Sequence, residues 1–280
     1  MNTGFVAVAL GLALSSTLFA RIEGNWKDAF RRPQREWHLD KSRYVESGLT
    51  VTSLVQLSSC ARVDVVRLYL RGARASLGGQ LQGLPNLAEL DISENGHAAV
   101  PEDVLALPSL RRLWLVRNPL KKLPDDVSRL KRLVYLNLDG TALSTLPDGL
   151  AGLPELRFLR LNDTPIASLP DSLRRLANMR RLYMRNTKLT AVPPVVASWD
   201  KLEDLALDGT AIAEVPAWLV EMPSLKRVSF SGSRLKNLPK NIRGWRKLQV
   251  LDVSNTPLSE NAAECQRIRA ELGDDVTILF

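Results

Sequence analysis

The sequence predicts a fold of the α/β class: a right-handed solenoid with a parallel sheet on its concave side and short helical turns on its convex side. Three observations predict it. Leucine, or once methionine, returns at Leu87, Leu110, Leu133, Leu156, Met179, Leu202, Leu225 and Leu248, an unbroken period of 23 residues. Each period begins with the apolar spacing of a half-buried strand, as at Leu156, Leu159 and Leu161, and continues with the three-and-four spacing of a helical turn, as at Leu169, Leu173 and Leu176. The fifteenth place of every full copy is proline: Pro101, Pro124, Pro147, Pro170, Pro193, Pro216 and Pro239. Proline suits the first position of a helical turn, where its missing N–H has no partner to lose. No single copy can bury its apolar side alone, so neighbours stack, and crossovers between parallel strands take the right-handed path.

The elements follow in chain order. Residues 1–20 carry no charged side chain, and Gly4 to Ala20 is a weakly apolar run ending at Arg21. Residues 21–62 hold Trp26, Phe30, Trp37 and Leu39, then Leu49, Val51, Leu54 and Leu57, a pattern read as a helical N-terminal cap. The repeats occupy 63–258: Val65, Leu68 and Leu70 open a degenerate first coil, and Leu248, Leu251, Val253, Thr256 and Leu258 open a last one. In the C-terminal cap, 259–280, Ala263, Ile268 and Leu272 have helical spacing, and Val276, Ile278 and Leu279 suggest a closing strand.

The ninth place reads Asn95, Asn118, Thr141, Thr164, Thr187, Thr210, Ser233 and Thr256. A buried oxygen or amide there can satisfy backbone groups at the corner after the strand, so this ladder is structural. Taken together, the copies read Leu-x-x-Leu-x-Leu-x-x-Thr/Asn-x-Leu-x-x-Leu-Pro-x-x-Leu-x-x-Leu-x-x, and over about 63 to 260 the chain resembles the leucine-rich repeat family. The Leu-Pro corner and ninth-place Thr look like those of intracellular repeat proteins and of type III effectors of plant-pathogenic bacteria. The segment Asn25-Trp26-Lys27-Asp28-Ala29-Phe30-Arg31-Arg32 is similar to the Trp- and Arg-rich cap that precedes the repeats in such effectors. In effectors that are ubiquitin ligases a catalytic domain follows the repeats; only about 20 residues follow Leu258 here, and no ligase activity is expected of this chain.

At 280 residues and 45% apolar content the chain can bury a long core in one elongated domain. Cys60 and Cys265 fall in opposite caps, about 40 Å apart at the spacing of stacked strands, too far for a disulfide. Two free thiols and a reducing compartment are expected. His38 and His97 lie in different coils without cysteine or histidine at metal-ligand spacing, and no phosphate loop or nucleophile elbow is present, so neither an enzyme nor a bound cofactor or metal is expected.

The side chains available for recognition are those at the third, fifth and seventh places, which point into the concave face. There Trp114, Tyr135, Phe158 and Tyr183 come from four successive coils and are expected to form one exposed aromatic band, flanked by Arg112, Arg160, Arg181 and Arg185. Trp, Tyr and Arg dominate the energetics of protein interfaces, so these eight residues form the candidate protein-binding site. Glu89 and Asp91 bracket the band on one side, and Asp204 and Asp208 on the other. A partner with an acidic or aromatic centre is expected. Trp199 and Trp245, at the twenty-first place, are assigned to the convex core, and Trp218 to a half-exposed position.

The net charge of +8 raises nucleic acid and anionic membrane as partners. Arg174 to Arg185 holds five arginines, but Arg174 and Arg175 fall on the convex side and Arg181 and Arg185 on the concave one. That division gives no coherent stripe and weighs against nucleic acid. Residues 1–20 fit a type III export signal, a membrane anchor at the short end of what spans a bilayer, or a secretory signal that lacks a basic start. The free cysteines favour the first two. The resulting expectation is a non-catalytic bacterial effector that is exported and engages a host protein in the host cytoplasm. Two alternatives are a recognition adaptor for a ubiquitin ligase or phosphatase on another chain, and a repeat protein tethered to a membrane through 1–20.

Overall fold

A computed structural model describes residues 48–73 and 77–280 of the chain. The readings for residues 1–20, for Trp26, Phe30, Trp37 and Leu39, and for His38 lie outside the described residues. The repeats belong to the unit Ser47–Phe280. Eleven parallel strands form one open sheet in sequence order, each hydrogen-bonded to the next. They are β1 (Leu49–Val51), β2 (Val65–Tyr69), β3 (Glu89–Asp91), β4 (Arg112–Trp114), β5 (Tyr135–Asn137), β6 (Phe158–Arg160), β7 (Arg181–Tyr183), β8 (Asp204–Ala206), β9 (Arg227–Ser229), β10 (Val250–Asp252) and β11 (Thr277–Leu279). From β3 to β10 the register advances by one period, pairing Leu113 with Leu136, Leu136 with Leu159 and Leu159 with Leu182. Equal places therefore lie side by side along the sheet.

The leucines of the period fill the interior: Leu133, Leu136, Leu138, Leu143, Leu146, Leu150 and Leu153 of one coil are all buried in a core that continues from Val51 to Ile268. On the convex side four coils close through 3₁₀ turns at Asp125–Arg129, Asp148–Gly152, Asp171–Arg175 and Pro194–Ser198, and two through single α turns at Glu102–Leu105 and Ala217–Val220. The repeated proline stands one residue earlier than its chemistry suggested. Pro101, Pro124, Pro147, Pro170, Pro193 and Pro216 are N-caps with extended backbones, and their carbonyls accept the first bond of the turn, as from Val127 to Pro124 at 3.1 Å. At that place the ring still fixes φ near its own value and no donor is lost.

The ninth-place ladder works in two ways. Asn118 spans two coils: its amide donates to the carbonyls of Ile92 and Leu115, while its Oδ1 accepts from the N–H groups of Asn95 and His97. Thr141, Thr164, Thr187, Thr210 and Thr256 each donate to the carbonyl three residues earlier. Trp199 and Trp245 lie in the convex core, and their indole N–H groups bond the carbonyls of Leu173 and Leu219 in the preceding coil at 3.0 and 2.9 Å. Two large side chains are thereby buried with no polar atom left over.

At the ends, Leu49–Val51 lies within the segment read as helical but adds a parallel strand before the short helix Leu54–Ser59. The helix Ala262–Leu272, capped by Asn261 and ended by Gly273, and the strand Thr277–Leu279 cover the last coil. Cys60 is half-buried and Cys265 buried, and both are free thiols. Burial pushes the Cys265 thiol up from its ordinary pKa.

Neighbouring coils meet closely at Gly149, where an added Cβ would stand 2.1 Å from the Asp125 carbonyl oxygen. Gly149→Ala must push two coils apart, and a loss of about 1–3 kcal/mol in chemical denaturation is expected, the usual cost of overpacking. A variant as stable as the wild type would show that the turns separate freely.

Candidate protein-binding surface

Consecutive strands stand about 4.8 Å apart, so each side chain on the concave face touches the one a period away. The third, fifth and seventh places are consequently three packed rows rather than isolated projections. Trp114 packs against Tyr135 with ring centres 5.1 Å apart, and Tyr69 meets Trp114 edge-on at 6.4 Å. Tyr69 extends the aromatic row by two coils beyond the band expected from the sequence. Its signal was legible: it sits between Leu68 and Leu70 in the same phase as Trp114 between Leu113 and Leu115.

The expectation of an exposed band is corrected here. Trp114 and Phe158 are half-buried, whereas Tyr135 retains 1% of its surface, Tyr183 7% and Arg160 6%. Tyr135 is covered by its neighbours, and its hydroxyl accepts a bond from Asn137 at 3.0 Å; burial raises its pKa above the ordinary tyrosine value. Arg160 lies over the Tyr183 ring at 5.1 Å, and Arg181 over the Phe158 ring at 5.3 Å, so guanidinium planes close the gaps between aromatic rings.

The arginines are also held by carboxylates. Arg160 engages Asp139 through both Nε and Nη2 at 2.8 Å. Arg181 reaches Asp204 at 3.0 Å, and Arg227 reaches the same oxygen from the other side. Arg185 pairs with Asp208 at 2.6 Å, and Arg112 with Glu89, which also accepts the Tyr69 hydroxyl. Burial works to lower the pKa of the Arg160 guanidinium, but the charge and hydrogen bond of Asp139 together with the nearby Tyr135 and Tyr183 outweigh it, and the net shift is upward. Burial raises the Asp208 carboxyl against the opposing pull of Arg185. Of the acidic residues read as brackets around the patch, Glu89, Asp204 and Asp208 are thus internal partners of its arginines, while Asp91 accepts the Ser93 N–H.

Two zones result. Between β2 and β7 the face is aromatic, with Tyr69, Trp114 and Phe158 as its accessible rings. From β8 to β10 its fifth and seventh places carry short side chains, Ala206, Ser229, Ser231 and Ser254, with Asp208 and Asp252 among them, beside Arg227 at the third place. Ser229 donates to Asp208, and Ser254 to Asp252 at 2.6 Å. The face can offer a partner apolar ring surface beside fixed, internally neutralised charges. Among the described residues no group of three or more His, Cys, Asp and Glu is placed to hold a metal ion.

The family model described as "Leucine rich repeat" matches residues 108–166. No curated protein matches the chain in sequence. Among solved structures, an internalin from Listeria monocytogenes is similar at a TM-score of 0.62 and 15% identity, over 82% of this chain and 71% of that one. The TLR13–ssRNA13 complex gives 0.60 and 19%, over 74% of this chain and 31% of the receptor. The plant peptide hormone receptor RGFR1 in complex with RGF2 gives 0.56 and 19%, over 72% and 37%. The chain therefore spans about a third of the length of those two receptors. At such identities the likeness speaks for the fold.

Proposed function

We propose, on the premise that this chain is a leucine-rich repeat protein, that it binds another protein through the concave face between β2 and β7. The observation that carries the reading is the pair of half-buried rings, Trp114 and Phe158, set on a floor fixed by Tyr135, Tyr183 and the Arg160–Asp139 pair. Large aromatic groups held rigidly lose little entropy on binding, which is the character of interface hot spots. Arg112, Arg181 and Arg185 border these rings and complete the eight-residue site. Because their charges are already balanced, the partner is recognised mainly by an apolar or aromatic protrusion. Two similar structures are complexes, the plant peptide hormone receptor RGFR1 with RGF2 and TLR13 with ssRNA13. We further assign the chain to the class of exported bacterial effectors that act on a host protein; the Leu-Pro corners, the threonine ladder and the Trp/Arg-rich segment 25–32 support that assignment.

Trp114→Ala combined with Phe158→Ala tests the surface. Affinity capture is expected to fall at least about 30-fold, the loss that removal of a hot spot produces, while the thermal midpoint moves little because both rings are half-exposed. Undiminished capture by a folded double variant would remove the concave face from the reading. Delivery of a reporter fused to the full chain, compared with one lacking residues 1–20, tests the effector assignment. Equal delivery of the two would count against it.

A further inference from the structure

Charge is distributed along the solenoid in an uneven way. The coil 202–224 has five acidic residues and no Lys or Arg, whereas the coil 225–247 has eight Lys and Arg and no acidic residue. The first coil spends most of its acids on its neighbours: Glu203 pairs with Arg180 and Lys226, Asp204 with Arg181 and Arg227, and Asp208 with Arg185. Of the eight cations in the second coil, Lys226 and Arg227 alone are matched in this way among the described residues. Arg234, Lys236, Lys240, Arg243, Arg246 and Lys247 are all exposed. Arg243 feels Glu271, but that carboxylate is engaged by Arg267 at 2.8 Å and by the Ile242 N–H. On the other flank, Glu264 is likewise engaged by Arg267 at 2.6 Å.

These six residues occupy one turn of the solenoid. They run from the tenth and twelfth places, just after the strand, through the sixteenth and nineteenth on the convex turn, to the last two places before the next strand. We propose that this basic collar is a second binding surface, separate from the concave face, and that its partner is an acidic and flexible polypeptide segment. Charge complementarity sets the sign of the partner. The arrangement sets its form: cations wrapped around one coil meet a chain that follows the curve, whereas a flat lipid surface touches only one side of it. Both aromatic residues of this coil, Phe230 and Trp245, are buried, so the coil that carries the cations presents no ring of its own on which bases could stack, as single-stranded nucleic acid requires.

Fluorescence anisotropy with a labelled oligoglutamate peptide tests the collar on the full chain. Wild-type protein is expected to bind it, with affinity falling about tenfold between roughly 50 and 200 mM salt. Substituting Arg234, Lys236, Lys240 and Arg246 together by Gln should weaken binding at least tenfold. Removing four exposed charges elsewhere, by Lys121→Gln, Lys122→Gln, Arg132→Gln and Lys188→Gln, should weaken it less than threefold. The Trp114→Ala and Phe158→Ala double variant should bind the peptide as the wild type does, which separates this surface from the concave one. Equal losses in the two quadruple variants, no binding by the wild type, or tighter binding of a single-stranded oligonucleotide or of phosphatidylserine vesicles through the same four residues would each overturn the proposal.

Discussion

Trp199→Ala is expected to destabilise the protein by about 3–5 kcal/mol, the range for truncating a large buried aromatic side chain. Trp199 is fully buried in the middle of the convex core, and its indole N–H satisfies the Leu173 carbonyl of the coil before it. Truncation opens a cavity between two coils and removes one of the two donors of that carbonyl, which keeps the Leu176 N–H at 3.0 Å, so the cavity carries most of the cost. Each coil rests only on its neighbours, and damage at one interface weakens the coupling between the two halves of the solenoid. Denaturant titration followed by circular dichroism should show a lower midpoint, and a broadened or split transition if the halves separate. Trp199→Leu, which installs the residue usual at this place, should recover part of the loss. A loss below about 1 kcal/mol for the alanine variant would mean that the convex side is loosely packed.

Asp139→Ala is the second large effect. Arg160 is almost wholly buried and is held on two nitrogens by this one carboxylate, which also accepts the N–H of Asn162 at 2.8 Å. Removing the acid strands a buried cation, a change that typically costs 3–5 kcal/mol. The pair itself adds far less, because both charges give up hydration to form it. Asp139→Ala combined with Arg160→Met should therefore be markedly more stable than Asp139→Ala alone. Urea denaturation of the two single variants and the double one gives the coupling between them. Additive losses would show that Arg160 finds solvent or another acid when Asp139 is gone.

The fold was legible because a period of 23 residues fixes which side chains share a row before any contact is known. The direction of Trp114, Tyr135, Phe158 and Tyr183 was legible for the same reason: each stands next to the inward leucine of its strand, Leu113, Leu136, Leu159 or Leu182. Their exposure was not, because it depends on what stands one period away. Tyr135 has Arg112 on one side and Phe158 on the other, and Tyr183 has Arg160 close enough to lie across its ring. Reading charges at separations of 21 and 23 residues would have found the ion pairs, since Asp139 and Arg160 are 21 apart, and Glu89 and Arg112, Arg181 and Asp204, and Arg185 and Asp208 are each 23 apart. The proline was placed one residue late because its fixed φ suits both the N-cap and the first turn, and the sequence alone does not choose between them.

The carboxylates shared between β7 and β9 also bear on how such a monotonous chain finds its proper order. Copies this alike could in principle stack after skipping one, since the leucines would interlock just as well. A chain that looped out 202–224 would set Arg180 against Lys226 and Arg181 against Arg227, with Glu203 and Asp204 no longer between them. Like charges would then face each other across a single strand spacing, and the miswound solenoid would repel itself at the splice.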